Sequence, residues 1–318
     1  MPYRLAADEN IDTGLRRIFL EEIAKVRRAL DNEEKTSEQR IFKARKRLKR
    51  ARSVVRLLKV PLGARTQDRL AETLRSVGKA LSPARDADVL VKSARLLAQA
   101  AGTGHDVVFD NLVARLETRA ATLHSKLPAD LEWCRAAMRA AEADAQRVPL
   151  KFPAETLFDA AFERIYGRGR AYRQIAAQTG RAEAFHDWRK YVKQRWHLSL
   201  LVRDLRDHQF SETIARLAHL GRLLGIDHDY AVLEDLCHAE PKVAGPVKVR
   251  RLVRDTIRKQ QRQIREQVLA LAGDLYDERM EAALENFQSA YQESTGQAGS
   301  GAISDGSARA YHFYSEPL

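Results

Sequence analysis

Cysteine is scarce in this 318-residue chain, which has only Cys134 and Cys237. Two isolated cysteines cannot form a disulfide framework or a four-cysteine zinc site. Glycine (16) and proline (9) are too few for a chain built from many tight turns, which favours long helices. No run approaches 18 consecutive apolar residues, so the sequence predicts no transmembrane helix and no membrane partner.

A secretory signal is also lacking, because the N-terminal residues contain no apolar segment of the required length. We therefore expect a cytoplasmic location. The apolar fraction of 44% is enough for a buried core, and the length allows one large domain or two modest ones.

Positive charge is concentrated in three segments. Residues 40–59 hold ten Lys and Arg and no acid, while residues 246–265 carry +7 and residues 185–204 carry +3. The net charge is +12, so the other 258 residues carry −8. Helix faces that only keep a protein soluble usually carry both positive and negative residues. A basic segment without acidic residues therefore indicates a polyanionic partner.

The most basic segment also has a helical pattern. Six apolar residues from position 41 recur at steps of three and four, which places them on one narrow stripe typical of a helical bundle. Thr36 and Gln39 form a predicted capping box in front of this helix. A second stripe of cations lies about 100° away. The apolar stripe is Ile41, Ala44, Leu48, Ala51, Val55 and Leu58, and the cationic stripe is Arg45, Lys49, Arg52 and Arg56.

The rest of the chain shows helical periodicity and no alternating strand pattern, so we predict an all-α fold. Further helices are expected at about 11–32, 65–80, 84–101, 106–126, 129–147, 153–178, 182–204, 209–224, 228–239, 243–272 and 274–290, with a break at Gly225. The Gly/Ser-rich residues from about 291 predict a disordered tail that includes the aromatic run 311–314.

A faint internal repeat relates the two halves. Residues 42–46 align with residues 186–190 at an offset of 144, and Lys79 falls near Arg222 at an offset of 143. We therefore predict two helical-bundle halves, 3–148 and 149–290, followed by the tail 291–318.

The order and spacing of these motifs resemble the CHAD family. The resemblance rests on His186-x-x-Arg189-Lys190-x-x-Lys193, on the corresponding residues 42–52, and on the segment 84–90 (ARDADVL). It covers roughly residues 3–285.

The resemblance implies two pseudo-symmetric four-helix bundles that face each other around a basic groove or pore. In that family the groove binds inorganic polyphosphate, and members associate with polyphosphate granules. The polyphosphate-binding residues that we predict from it and from charge are Arg45, Lys46, Lys49, Arg52, Arg56, Lys79, Arg85, His186, Arg189, Lys190, Lys193, Arg222, Arg251, Arg254 and Arg258. The last three rest on charge alone.

This chain departs from the family pattern at two places. Phe42 stands where the family has a histidine, and Gln194 and Trp196 occupy positions that are commonly basic. We therefore expect the first half to supply more of the charge.

Two other functions compete with this interpretation. Nucleic-acid binding needs the same phosphate contacts together with stacking aromatics, for which Trp196 and Tyr191 are candidates. An enzyme acting on polyphosphate needs clustered carboxylates or a phosphate-binding Gly-rich loop, and neither motif is present. We therefore predict a protein without catalytic residues, cofactor or metal, and the oligomeric state stays open.

Three smaller predictions concern side-chain environments. Asp227-His228-Asp229, with His238 nearby, lacks the spacing of a metal site on a helix. Asp86 is expected to form an ion pair that orients Arg85 near a helix start. Trp133 and Trp188 are expected in the core.

Overall fold

The computed structural model describes residues 3–6, 9–102, 104, 106–126, 128–147, 154–203 and 208–296. Helices are the only regular secondary structure over these residues, which confirms the predicted all-α class. The helices are α1 (Ile11–Asp31), α2 (Ser37–Leu57), α3 (Lys59–Leu62), α4 (Ala64–Ala80), α5 (Ser82–Ala101), α6 (Asp106–Ser125), α7 (Pro128–Gln146), α8 (Ala154–Thr179), α9 (Ala182–Val202), α10 (His208–Ala239), α11 (Pro241–Ala244), α12 (Val247–Leu271), α13 (Gly273–Tyr276) and α14 (Met280–Gly296). Within these ranges no helix is long and apolar enough to cross a membrane.

Helix α2 begins and packs as its sequence predicts. The Thr36 hydroxyl accepts a hydrogen bond from the backbone N–H of Gln39 at 3.3 Å, so one of the free N–H groups of the first turn is satisfied. All six residues of the apolar stripe are buried. The stripe therefore forms the core face of the helix, and the cations lie beside it.

The chain divides into two compact units. Of the described residues, the first unit contains those within 15–147 and 226–267, and the second contains those within 3–14, 154–225 and 268–296. These boundaries differ from the predicted halves because residues 226–267 pack with the first-half helices. The pseudo-symmetric repeat stays a prediction.

In the first unit, α5 packs along α6, and α2 packs against α4 and α5. Helix α4 also packs on α7. Helices α6 and α11 are joined by Arg115, whose Nε donates to the carbonyl of Val243 at 2.5 Å, and by an Arg119–Glu240 ion pair at 3.0 Å.

In the second unit, α8 packs along α9 and α14 around an aromatic core. The rings of Phe162 and Phe287 stack at 4.6 Å between centroids, and Trp188 is fully buried as predicted. Arg195 lies in the same core and donates a hydrogen bond to the carbonyl of Leu275. Its guanidinium lies 4.8–5.7 Å from the ring centroids of Phe162, Tyr166 and Tyr276.

Three predictions about the helices and the core are wrong. Helix α10 continues through Gly225, because the cost of one glycine inside a helix, about 1 kcal/mol, is outweighed by the burial of neighbours such as Leu223 and Leu224. Helix α14 continues to Gly296, past the predicted start of the tail. Trp133 is 49% exposed because it lies opposite the buried face of α7, which carries Cys134.

Residues 297–318, including the aromatic run 311–314, lie outside the described residues.

Candidate functional site

The predicted cationic stripe lies along one side of α2. Lys49, Arg52 and Arg56 are exposed, whereas Arg45 is half-buried beside the apolar stripe. Lys46, on the next position of the same helix, is also half-buried. The helix therefore presents its cations along a line that water reaches.

Arg45 is held between two other helices of the first unit. Its NH1 donates to the carbonyl of Gly78 in α4 at 2.8 Å, and its NH2 lies 3.9 Å from Asp86 Oδ1 in α5. Burial lowers the pKa of Arg45, the charge of Asp86 opposes this change, and the nearby Arg85 and Arg52 lower the pKa further. Arg45 thus lies within electrostatic reach of two other cations.

The expected ion pair between Asp86 and Arg85 is wrong. Asp86 accepts a hydrogen bond from the Ser82 hydroxyl at 2.7 Å and has Arg45 as its cationic neighbour. The Arg85 guanidinium instead lies over the ring of Phe42, 5.3 Å from its centroid. This contact places Arg85 beside α2.

Two further cations lie near this group and were missed from the sequence. The pKa of Arg52 is lowered first by partial desolvation from the surrounding protein, although its side chain still reaches water, and then by the charge of Arg75 in α4. The pKa of Lys92 in α5 is lowered by burial and then by Arg85, while Asp229 opposes the change.

Helical spacing could have revealed both residues. Arg75 precedes Lys79 by four residues, and Lys92 follows Arg85 by seven, so each pair shares a helix face. We call the set on α2, α4 and α5 the α2 cluster. It comprises Arg45, Lys49, Arg52, Arg75, Lys79, Arg85 and Lys92.

The three cations predicted on α12 are not joined to the α2 cluster by any contact among the described residues. Arg258 pairs with Glu234 of α10 at 3.3 Å, and Arg254 lies 3.6 Å from its neighbour Asp255. Arg251 is exposed on the same helix. Acidic neighbours therefore offset part of the charge on α12.

In the second unit, α9 carries the four residues of the family motif. Lys190 Nζ lies 2.7 Å from Asp187 Oδ1, whereas His186 and Arg189 are half-buried. Burial lowers the pKa of His186 below its ordinary value of 6.5, Lys190 and Arg189 lower it further, and Asp187 opposes them. His186 is therefore neutral near pH 7 in the unliganded protein.

Lys193 of α9 lies against α10 at Gly221, the residue that precedes Arg222. The Lys193 chain lies over Gly221, where a Cβ atom would be 3.7 Å from Lys193 Cε. Arg222 NH2 lies 2.6 Å from His219 Nδ1. Burial and the charge of Arg222 lower the pKa of His219, which the sequence did not single out.

Trp196 is not available for base stacking, which corrects the sequence-based candidate. It is 7% exposed and packs against His197 with 4.9 Å between ring centroids. The other candidate, Tyr191, stacks on Tyr172 at 5.3 Å. Both rings are thus engaged within the second unit.

The acidic segment at 227–229 is held within the fold by an ion pair between Asp227 and Arg265. Asp227 is 2% exposed and accepts a hydrogen bond from Arg265 Nε at 2.8 Å. Burial raises the pKa of Asp227, and Arg265 opposes that rise. In the part of the chain that the structure describes, no three His, Cys, Asp or Glu residues are grouped to hold a metal ion.

Comparisons with known proteins place this chain in a family. The family model of the CHAD domain matches residues 14–238. A crystal structure of the CHAD domain from the plant Ricinus communis is similar, with a TM-score of 0.59 and 17% sequence identity over 88% of this chain and 92% of that chain. A search of curated proteins found no match. Because the family match covers well over half of the sequence, this protein belongs to the CHAD domain family.

Proposed function

We propose that this protein binds inorganic polyphosphate through the α2 cluster and the basic residues of α9 and α10. The proposal includes the central groove that the family resemblance implies, to which the α2 cluster and the basic residues of α9 and α10 both contribute. It also includes a cytoplasmic location and association with polyphosphate granules. The proposed role is binding without cleavage of the polymer.

The observation that carries the proposal is a linked set of five cations on α2, α4 and α5, each within electrostatic reach of at least one other: Arg45, Arg52, Arg75, Arg85 and Lys92. The pKa values of Arg45, Arg52 and Lys92 are each lowered by burial and by neighbouring positive charge. Asp86, Asp229 and Glu72 offset part of this positive charge, and a bound polyanion would relieve the repulsion that is left.

The length of the cationic stripe suits a polymer rather than a single phosphate. Arg45 and Arg56 are eleven residues apart, which corresponds to about 16 Å along the helix. Arginine can contact two phosphate oxygens at once, while lysine acts as a mobile point charge. A flexible polyanion without bases needs this line of cations and no base-reading groups.

The decisive experiment reverses two exposed cations of α2. We expect Lys49→Glu with Arg52→Glu to weaken binding of a fluorescent long-chain polyphosphate about 100-fold, since about 2.8 kcal/mol of attraction is lost or turned into repulsion. Fluorescence anisotropy at fixed salt measures the affinity. Arg45 is left intact because it holds α4 and α5.

The matched control reverses two exposed arginines elsewhere, Arg139→Glu with Arg279→Glu. It changes the net charge equally and should leave binding within about threefold of the parent protein. Equal loss in both double variants would show that overall charge alone attracts the polymer and would overturn the site assignment.

Nucleic acid is the competing ligand. At matched phosphate concentration and salt, RNA and duplex DNA should displace labelled polyphosphate only weakly, because the rings of Trp196 and Tyr191 are engaged within the protein. Stronger displacement by RNA would favour the alternative. Incubation with polyphosphate and Mg²⁺ should release no phosphate, and release would contradict the proposed role.

A further inference from the structure

Ser37, His124 and Asp88 form a continuous hydrogen-bonded chain in the first unit. The Ser37 hydroxyl lies 3.1 Å from His124 Nδ1, and His124 Nε2 lies 2.8 Å from Asp88 Oδ1. The three residues come from α2, α6 and α5. A nucleophile, a base and a carboxylate that orients the base are therefore connected in the order that acyl-transfer enzymes require.

The carboxylate determines which nitrogen of His124 can act as the base. When Nε2 carries the hydrogen and donates it to Asp88, Nδ1 is left with a lone pair that accepts the Ser37 hydroxyl proton. The His124 and Asp88 side chains are only 16% and 10% exposed, so their arrangement is held by packing. The second oxygen of Asp88, Oδ2, is buried without a hydrogen-bond partner among the described residues.

A cavity of about 400 Å³ opens beside this chain, and Ser37, Asp88 and His124 line it. Its volume falls in the range of small-molecule sites. Lys92 and Arg95 also line it. A reactant of small-molecule size can therefore reach the Ser37 hydroxyl.

Ser37 is the first residue of α2. A position at the start of a helix offers N–H donors for the negative charge that develops on the carbonyl oxygen during acyl transfer. The N–H groups of the first helical turn have no acceptor within the helix, and the positive end of the helix dipole lies there. Thr36 satisfies the N–H of Gln39. The N–H groups of Ser37 and Glu38 belong to this same turn, and the proposed site uses them as donors to the developing oxyanion.

We propose that Ser37 is the nucleophile of a second, hydrolytic site that acts on small carboxylic esters. Ser37 Oγ attacks the carbonyl carbon while its proton passes to His124 Nδ1. The C–O bond to the leaving alcohol then breaks, and that alcohol takes the proton from His124. Water attacks the resulting acyl ester with His124 again as base, which releases the acid and restores Ser37. Asp88 is a positioning residue that holds the imidazole.

This proposal does not rest on polyphosphate binding, although Lys92 belongs both to the α2 cluster and to the cavity lining. It departs from the sequence-based prediction of no catalytic residue. That prediction rested on the lack of phosphoryl-transfer motifs, whereas the step proposed here is acyl transfer. The three residues are 36 or more positions apart in the chain, so no local motif contains them.

The test uses a fluorophosphonate probe on the full chain, followed by peptide mass spectrometry. We expect one adduct, on Ser37, and none at that peptide in Ser37→Ala. His124→Gln should slow labelling at least about 100-fold, because the hydroxyl then lacks its base. Lack of an adduct on Ser37 in the unaltered protein overturns the proposal, as does labelling that is unchanged in His124→Gln.

Ser82→Ala is the matched control. Ser82 also begins a helix and donates to a carboxylate, Asp86, but no histidine among the described residues pairs with it, so its removal should leave labelling unchanged. Asp88→Asn should slow labelling of Ser37, because the imidazole loses the carboxylate that orients it, and Asp88→Glu should restore part of the rate. A purely structural chain would alter the unfolding midpoint without slowing the labelling of the folded protein. Polyphosphate binding should be retained in Ser37→Ala, so the two proposals can fail separately.

Discussion

At the scale of single residues, two arginines show how differently a buried cation can be accommodated. Arg195 is 7% exposed and is surrounded by three aromatic rings and a backbone carbonyl. Arg45 is half-buried, and its surroundings include other cations. The first arrangement satisfies the guanidinium within the fold. The second leaves it able to gain from an added anion, which is why Arg45 is a better site candidate than the more deeply buried arginine.

His186 gives a prediction about pH. Its pKa in the fold is below its ordinary value of 6.5, so it is neutral near pH 7. A bound polyanion favours the protonated form and raises that pKa, and binding should therefore take up a proton. We expect affinity for polyphosphate to rise as pH falls below about 6.5, and the rise should be smaller in His186→Gln.

Titration calorimetry in two buffers with different ionisation enthalpies measures this proton uptake. The same lowered pKa acts on stability in the unliganded protein. The contribution of neutral His186 is present above its unfolded pKa and is lost as pH falls through its folded pKa. Identical pH profiles for the parent and His186→Gln would contradict a role for this residue in binding.

At the scale of helices, the sequence predicts a helix and its buried face best where local residue spacing alone determines them. The Thr36 cap and the apolar stripe of α2 were confirmed because capping and burial both depend on local spacing. The break at Gly225 was wrong because tertiary burial outweighs local propensity. Helical spacing places Arg75 and Lys92 on the same helix faces as Lys79 and Arg85, but their nearness to α2 depends on how three helices pack, which local spacing does not specify. The Ser37–His124–Asp88 chain could not be predicted from the sequence either, because its three residues meet only when α2, α5 and α6 pack together.

Two glycines inside helices should respond to alanine in opposite directions. Gly78 in α4 has no atom within 4 Å of the position of an added Cβ. Gly78→Ala should therefore stabilise the protein by about 0.5–1 kcal/mol by reducing the entropy of the unfolded chain. In α8, a Cβ at Gly169 would lie 2.7 Å from Cε1 of the buried Tyr276 ring. Gly169→Ala should destabilise the protein by about 1–3 kcal/mol.

Urea unfolding of the parent and both variants gives the two free-energy differences. Each variant serves as the control for the other, because the chemical change is the same and only the surroundings differ. Stabilisation by Gly169→Ala would show that Tyr276 is free to move, contrary to its complete burial.

At the scale of the whole molecule, charge is distributed unevenly between the two compact units. The two most basic segments, 40–59 and 246–265, both belong to the first unit, although they lie in different halves of the sequence. The segment 185–204 belongs to the second unit and carries less charge. The sequence-based prediction is that the first half of the sequence supplies more of the charge, whereas the charge of the first unit comes from both halves because residues 226–267 pack with the first-half helices.

This concentration of charge should make polyphosphate binding depend steeply on salt. Each cation that neutralises a phosphate releases condensed counterions, so the logarithm of the binding constant falls linearly with the logarithm of salt concentration. By analogy with single-stranded nucleic acid, each contact contributes about 0.7 to the slope. Lys49→Gln with Arg52→Gln should therefore reduce the magnitude of the slope by about 1.4, whereas Arg139→Gln with Arg279→Gln should leave it unchanged. Anisotropy titrations at several salt concentrations measure the slopes, and equal slopes for both double variants would exclude Lys49 and Arg52 from direct phosphate contact.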